Sequence, residues 1–418
     1  MAAGDVIKLQ LESIVQGGDA LGRYEGKPVF VEGGAPRETI LCKISEEKNT
    51  YLRGELLEVT DPSPGRVKSP CEFYKKCGGC NLGHIDYNAQ LKIKTSILDE
   101  SFLRIGGIDL SSIGLSIEVF SSPLWEYRNR MQFHCFRQNK NGFGLKGKGS
   151  NEIIAINDCP IAVSGIRDFI KSFSLYKERR TAGLIHPPEK IFSIPPDKDR
   201  FTIFSKDDIL LCEGNLSRGK IKLLDKEIIL DAGLFFQSNC VMLEKLILKL
   251  RDIAKDADRS LPMADLYCGI GTFALFLNDL FPASILAEVN KTAVSIAREN
   301  LRGRNAEFFA LKDTDWHDNI FKQPEKNSLK TENLKRNFPR YALGFAVVDP
   351  PRAGLSSSLA SALAKNGPPL FAYVSCDAAS LARDSKIFLN GGYCLDKLTL
   401  FDFYPQTSHI ESLAVFKK

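Results

Sequence analysis

The sequence has no apolar run that reaches the roughly 18 to 20 consecutive residues of a membrane-spanning helix, which excludes an integral helical membrane protein for these 418 residues. Its opening, MAAGDVIKLQ, lacks a basic stretch followed by an apolar one, so no secretory leader is expected and a cytoplasmic address is. No internal repeat marks a solenoid or a propeller. Charge of neither sign dominates: 56 basic against 51 acidic side chains leave +5, too little to name a nucleic-acid partner by itself. Hydrophobic residues at 44% and charged residues at 26% exclude a disordered or fibrous chain and leave a globular protein of two or three domains. Eleven cysteines are no disulfide framework in a long chain of a reducing compartment, and some are free to act as metal ligands or nucleophiles.

What is present is unevenly placed. Residues 1–60 carry 7 basic and 10 acidic side chains, residues 61–260 carry 31 and 25, and residues 261–418 carry 18 and 16. The positive excess therefore lies in the middle. The opening region reads as short strands, with Ile7, Leu9 and Leu11 alternating, then Val29 to Val31 and Ile40, Cys42 and Ile44. Glycine pairs at 17–18 and 33–34 separate them, which predicts a small β-barrel ending before a linker at 61–65. A helical stretch is expected over 87–103, followed by turn-rich strands. After Phe235 helix and strand alternate. An amphipathic helix over 241–254 is followed by a strand ending at Tyr267, a glycine loop, a helix over 273–278 and a strand over 285–287, the pattern of a doubly wound α/β sheet. The polar stretch 318–340, with six basic and three acidic residues, reads as a loop inserted in that domain.

Five constellations carry chemistry. In Asp265-Leu266-Tyr267-Cys268-Gly269-Ile270-Gly271-Thr272, Gly269 and Gly271 between strand and helix let a ligand approach the backbone, and the helix start offers free amides. A plain tight turn is the competing reading. Glu288 ends the next strand, where a carboxylate can take both ribose hydroxyls; with no third glycine in place, S-adenosylmethionine fits better than a dinucleotide. Asp349-Pro350-Pro351-Arg352-Ala353-Gly354 ends an apolar strand rigidly and aims Asp349 at the same crevice, unless it is a proline turn with a solvated carboxylate. A further strand ends in Cys376, a small buried hydrophobe or a nucleophile. In His409-Ile410-Glu411-Ser412, Glu411 is a general base or simply the polar start of the last strand. Finally, Cys71, Cys77 and Cys80 in a glycine-containing loop are spaced for one metal centre, with Cys159 as the best fourth ligand; an iron–sulfur cluster and four-thiolate zinc compete. The spacing C-x5-C-x2-C does not fit radical S-adenosylmethionine enzymes.

Taken in order, the cysteine cluster, Phe235-Phe236-Gln237-Ser238-Asn239, the glycine loop, the Asp349 and Cys376 motifs and His409-Ile410-Glu411-Ser412 resemble the RNA uracil-5 methyltransferases over nearly the whole chain. The resemblance implies a TRAM-like barrel at 1–60, a mixed α+β iron–sulfur and RNA-binding domain at 61–82 and 116–234, and a Rossmann-like methyltransferase domain at 83–115 and 235–418. It implies Cys376 as nucleophile and Glu411 as the base that removes the C5 proton. S-adenosylmethionine would lie against Gln237, Tyr267, Gly269, Gly271, Thr272, Glu288, Asp313 and Asp349. Phe235, Gln237, Asp349 and Arg352 would meet the target base, with Arg128 and Arg130 on the RNA. Cys71, Cys77, Cys80 and Cys159 would hold a [4Fe-4S] cluster. Tyr267 and Thr272 stand where the family often has phenylalanine and asparagine or serine, conservative changes.

The chemistry demands these residue types independently. C5 of uracil is a poor nucleophile, and a thiolate adding to C6 makes it enolate-like. After methyl transfer a carboxylate must remove the C5 proton so that the cysteine can leave. A buried thiol also requires the target base to be splayed out of its stack. The segment 125–148 supplies Arg128, Arg130, Arg137, Lys140, Lys146 and Lys148 for phosphates, with Trp125, Tyr127, Phe133, Phe136 or Phe143 as candidate stacking partners, several of which must instead be core. The expected activity is 5-methyluridine formation in structured RNA, by preference 23S ribosomal RNA because family members with both barrel and cluster commonly act there. A monomer without protein partner or membrane contact is expected. The alternatives are a transfer-RNA uridine-C5 methyltransferase, an amino-methyltransferase built on the D-P-P motif, against which Arg352 counts, and a non-catalytic RNA-binding assembly factor.

Overall fold

The computed structural model describes residues 4–136, 142–181, 199–214, 216–316 and 342–418; the polar stretch 318–340, Arg137 and Lys140 lie outside them. Strands β1 (Val6–Ile14), β2 (Ala20–Tyr24), β3 (Lys27–Val31), β4 (Thr39–Glu47) and β5 (Leu52–Asp61) close into a barrel in the order β1-β2-β3-β5-β4. Period-two alternation builds it: along β1, Ile7, Leu9 and Leu11 are buried while Val6, Lys8, Gln10 and Glu12 face outward. Beyond the cysteine loop, helix α1 (Tyr87–Ser101) starts at Asp86, whose carboxylate accepts from the Ala89 amide at 3.1 Å. It ends two residues earlier than the sequence predicts, passing into one wide π-helical turn at Phe102–Gly106. Strand β6 (Ile117–Phe120) follows.

The central sheet contains β7 (Arg130–Cys135), β8 (Phe143–Lys146) and β9 (Ile153–Ile154). After helix α2 (Ser164–Thr181), β10 (Arg200–Lys206) and β11 (Ile209–Cys212) complete the order β11-β10-β7-β8-β9. Its core is a cluster of rings, with Phe133 and Phe143 centroids 4.9 Å apart and Phe143 and Phe169 5.2 Å apart. Of the five candidate stacking residues, several of them expected to be core, Tyr127, Phe133 and Phe143 are the buried ones and hold the sheet together instead of facing a base. A hairpin of β12 (Arg218–Leu223) and β13 (Lys226–Asp231) packs Ile221, Leu223, Ile228 and Leu230 into the same core as Leu243, Leu246 and Leu250 of α3 (Cys240–Ala254).

The third part is the expected doubly wound sheet. It runs through β14 (Met263–Leu266), α4 (Thr272–Leu277), β15 (Ser284–Ala287), α5 (Lys291–Asn300), β16 (Ala306–Phe309) and the short α6 (Asp313–Trp316). Then come β17 (Phe345–Val348), α7 (Ser357–Asn366), β18 (Leu370–Ser375), α8 (Ala378–Asn390), β19 (Cys394–Phe401) and β20 (Glu411–Lys417). The strand order is β16-β15-β14-β17-β18-β20-β19-β6, parallel from β16 to β18 and antiparallel at β20. Strands β14, β15, β17 and β18 are buried throughout, as helices on both faces require. Between β14 and β17 the order reverses, which opens a crevice at the carboxyl ends of these strands. Among the described residues no helix is long and apolar enough to cross a membrane.

The segment that leaves the cysteine loop docks on this sheet. Strand β6 extends it beside β19, beyond the boundary at residue 115 expected from sequence. Lys94 of α1 is wholly buried, with Nζ 2.6 Å from Asp402 Oδ1 and 2.9 Å from the Tyr404 carbonyl oxygen. Removing one member of a buried pair strands the other charge, so Lys94→Met should destabilise the fold by about 3–5 kcal/mol. An unchanged urea midpoint would contradict that assignment.

Candidate active site

The glycine loop leaves β14 through three left-handed positions, Tyr267 (φ 62°), Gly269 (φ 53°) and Gly271 (φ 79°). Gly271 admits no side chain: a Cβ there would lie 2.8 Å from Leu301 Cδ1 and 3.2 Å from Ala297 Cβ. Tyr267 is held in its strained conformation by its hydroxyl, which donates to Asp313 Oδ2 at 2.9 Å, and by an edge-on Trp316 ring at 4.6 Å. Below the loop, buried Asp265 accepts from the Ala274 amide at 2.8 Å, tying the loop to α4. Burial pushes the Asp265 carboxyl up to about 7. At the end of β15, Glu288 accepts from the amides of Asn290 at 2.8 Å and Gly269 at 3.3 Å, so its carboxylate is oriented toward the loop.

The next strand ends carry the reactive groups. Strands β18 and β20 pair antiparallel as far as Ser375 and Ser412; Cys376 follows the first of these and Glu411 precedes the second, close enough for the carboxylate to act on the thiol. Both line a cavity of about 860 Å³ together with Asp349 and Arg352 from the end of β17. Burial, then the carboxylates of Glu411 and Asp349, push the Cys376 thiol up to about 12, while Arg352 opposes them. Burial also pushes Asp349 up to about 7, and burial with Asp349 nearby raises Glu411 well above the usual carboxylate range. Glu411 Oε1 is buried without a hydrogen-bond partner, as befits a group that meets a ligand. Arg352 Nη2 lies 3.2 Å from His409 Nδ1. Burial, then Arg352, press His409 down to about 4, so the ring is neutral near pH 7 and accepts from the guanidinium.

A third wall comes from the residues before α3. Asn239 caps that helix, accepting from the Met242 amide at 3.1 Å, and donates to Ser122 Oγ at 2.9 Å and the Phe403 carbonyl oxygen at 3.1 Å. Asn129 of the central region accepts from the Cys240 amide at 2.9 Å. These bonds fix Gln237, whose buried Oε1 has no partner, and Phe235, which is 68% exposed at the cavity. Arg128 and Arg130 stand at the same cavity.

The cavity thus gathers the expected Cys376, Glu411, Gln237, Tyr267, Gly269 and Glu288, and also Asp313, Asp349, Phe235, Arg352, Arg128 and Arg130. Gly271 and Thr272 are not among its lining residues: Gly271 packs inward under the loop, and Thr272 opens α4. Sequence reasoning missed Asn290, Lys312, Trp316, Tyr404 and His409. Asn290 was within reach, two residues after Glu288; His409 stood in a motif already quoted, and its contact with Arg352 was not visible there.

The four cysteines line a second cavity of about 650 Å³. Its loop docks on the central sheet through the Gly78 amide, which donates to the Lys146 carbonyl oxygen at 3.0 Å. Cys71, Cys77, Cys80 and Cys159 are free thiols. Burial raises all four, Cys80 to about 12 and Cys159 to about 11. Among the described residues no group of three or more His, Cys, Asp or Glu side chains is disposed to hold a metal ion. Arg128 and Gln132 line both cavities.

Comparison with known proteins agrees with this layout. The family model described as tRNA (uracil-5-)-methyltransferase matches residues 205–418, and that of the TRAM domain matches residues 3–57. An uncharacterized RNA methyltransferase of Treponema denticola is 35% identical over 94% of this chain and 94% of its own length. The 23S rRNA (uracil(1939)-C(5))-methyltransferase RlmD of Shewanella sediminis is 29% identical over 98% of this chain and 96% of its own. The solved structure of Pyrococcus abyssi tRNA (uracil-54, C5)-methyltransferase with S-adenosyl-L-homocysteine shares the fold, with a TM-score of 0.70 at 21% identity over 98% of this chain and 100% of that one. A thiol and a carboxylate on facing strand ends, beside a glycine loop in a doubly wound sheet that follows a small barrel, are thus accounted for by descent: the chain belongs to the RNA uracil-5-methyltransferase family and carries an N-terminal TRAM domain.

Proposed function

We propose that this protein methylates C5 of a uridine in structured RNA using S-adenosylmethionine, with 23S ribosomal RNA as the substrate. The observation that carries the reading is that Cys376 and Glu411, which flank the last pair of two adjacent antiparallel strands, line one cavity with the glycine loop. S-adenosylmethionine supplies an electrophilic methyl group on a sulfonium. Glu288 is aimed to take ribose hydroxyls, Gly269 lets the cofactor lie close to the backbone, and Tyr267 and Asp313 brace each other beside it. Gly271 and Thr272 act through the shape and free amides of the helix start. Cys376 adds to C6 of the target uracil, and Arg352 offsets the charge that forms there. Gln237 and Asp349 hold donors and acceptors for the uracil edge, and Phe235 offers a face for the flipped base. Glu411, once ionised, removes the C5 proton; its raised proton affinity makes it a stronger base than an exposed glutamate. Arg128 and Arg130 take RNA phosphates.

The ribosomal choice is supported by relatives such as that of Shewanella sediminis, whose name specifies 23S rRNA. Transfer RNA is the second reading, favoured by the shared fold of the Pyrococcus abyssi enzyme. Mass-spectrometric mapping of 5-methyluridine in RNA from cells with and without the protein decides: loss of one or more sites in 23S rRNA is expected, and an unchanged map sinks the reading.

Cys71, Cys77, Cys80 and Cys159 are proposed to hold a [4Fe-4S] cluster. Four free thiols around one cavity suit that group chemically. Anaerobically purified protein is expected to contain about four iron and four sulfide per chain, both lost in Cys77→Ser; zinc in their place would overturn the assignment. The domain division at residues 60, 82, 115 and 234 is retained as a proposal with β6 and the β12–β13 hairpin moved to the methyltransferase domain, whose sheet and core they join.

A further inference from the structure

The loop that delivers Glu411 is not held by its own residues alone. Asn81, the residue after Cys80, makes four hydrogen bonds across the chain. Its Nδ2 donates to the Gly17 carbonyl oxygen at 2.7 Å and to Ser408 Oγ at 2.9 Å. Its Oδ1 accepts from the Ser408 amide at 2.8 Å, and its own amide donates to the Gln406 carbonyl oxygen at 3.1 Å. The fit is tight: a Cβ on Gly18 would lie 2.2 Å from Asn81 Nδ2, so the barrel loop can approach only as glycine. Gln406 sits at φ 70°, and its amide donates to Gln90 Oε1 at 2.8 Å, which anchors the near end of the loop. Asn81 anchors the far end, at Ser408, three residues before Glu411. The same barrel loop reaches the other strand end, where Gln16 Nε2 donates to Asp377 Oδ2 at 2.7 Å, beside Cys376.

We infer that Asn81 is a positioning residue that, anchored on the barrel at Gly17, sets the backbone of residues 406–411 so that Glu411 can take the C5 proton. Glu411 Oε1 lacks a hydrogen-bond partner, so the backbone leading into β20 governs where this oxygen lies. The inference rests on the proposed uridine-C5 methylation. In the affected step the proton on C5 passes to the Glu411 carboxylate. The C5–H electron pair becomes the C5–C6 double bond, the C6–S bond breaks, and Cys376 leaves as thiolate. Methyl transfer comes earlier and does not need Glu411, so misplacement of this residue slows elimination alone. A displacement of about 1 Å at a reacting group costs on the order of 10²-fold.

The test uses the full chain and an in vitro RNA transcript that the wild-type protein methylates, carrying tritium at uridine C5. For Asn81→Ala, methyl incorporation in the first turnover and the KM for RNA should stay within about twofold of wild type, whereas tritium release should slow at least about tenfold. A methylated protein–RNA adduct that survives denaturing gels should accumulate. Ser408→Ala, which leaves the cysteine loop untouched, should show the same split with a smaller effect, and it carries the test alone if Asn81→Ala does not fold. Equal slowing of both steps without adduct, or no slowing in either variant, overturns the inference. The two readings fail differently: if wild type neither releases tritium nor forms an adduct with 5-fluorouridine RNA, the proposed function is wrong. If wild type does both and the variants match it, only the role of Asn81 is wrong.

Discussion

Cys376→Ala should lower methyl transfer by at least about 10⁴-fold while RNA binding stays within about twofold of wild type, because removing a nucleophile abolishes the covalent route and touches no phosphate contact. The size of the loss follows from the reaction. Without addition at C6, C5 of uracil has no enolate character, so positioning and electrostatics around the methyl donor have nothing to act on. The free enzyme keeps this thiol in its neutral form: burial, Glu411 and Asp349 push it up to about 12. A thiol held so high is protonated at neutral pH, and the rate of adduct formation should rise with pH from about 6 to 9 as the thiolate fraction grows tenfold per unit. Arg352, which opposes those carboxylates, should enter here, and a flat profile would mean that another step limits adduct formation. Retained methylation in Cys376→Ala, measured with methyl-labelled S-adenosylmethionine, would rule out the covalent mechanism and leave an amino-methyltransferase to be considered.

Glu411→Gln should trap rather than silence the enzyme. Addition and methyl transfer precede the step that needs a base, so the variant is expected to complete one methyl transfer and stall as a protein–RNA adduct, with turnover reduced about 10²- to 10⁴-fold. The same substitution should leave the fold at least as stable near neutral pH. The sign is fixed by the direction of the shift: the folded-state carboxyl is raised by burial and by Asp349. Its contribution to stability is most favourable below the unfolded-state value and is lost as pH rises through the folded-state one. Glutamine removes that penalty. A variant that folds and binds RNA yet shows no adduct on denaturing gels would remove Glu411 from the role of base.

The two residues differ in how far the sequence reveals them. Each motif was legible because its chemistry is local: the glycines after β14, the prolines after β17 and the cysteine after β18 all lie at strand ends of a pattern that predicts a doubly wound sheet, and strand ends on one edge share a crevice. The barrel was legible for the same reason, since alternation along β1 alone assigns Ile7, Leu9 and Leu11 to its interior. Pairing across long separations was not legible. Nothing in the composition of 125–148 distinguishes an aromatic that meets RNA from one that meets another ring, and Tyr127, Phe133 and Phe143 proved to be core. Lys312 and Trp316, which follow β16, reach the cavity only through the fold. Nothing local marks Lys94 for burial, and its pairing with Asp402 depends on α1 crossing to a residue 308 positions away.

The sequence by itself determined the family, through the order of its motifs, and the fold class of a small barrel followed by a doubly wound sheet, because side-chain chemistry and local backbone geometry travel with the motif. Only the tertiary structure decided that Cys376 and Glu411 share one cavity with Arg352 and His409, and that the barrel and the cysteine loop meet the 406–411 loop at Asn81. Those facts depend on strand register and on hydrogen bonds between residues more than 300 positions apart. Such contacts form when burial of the sheet and its docked segments fixes one register among many, and no local pattern encodes which one.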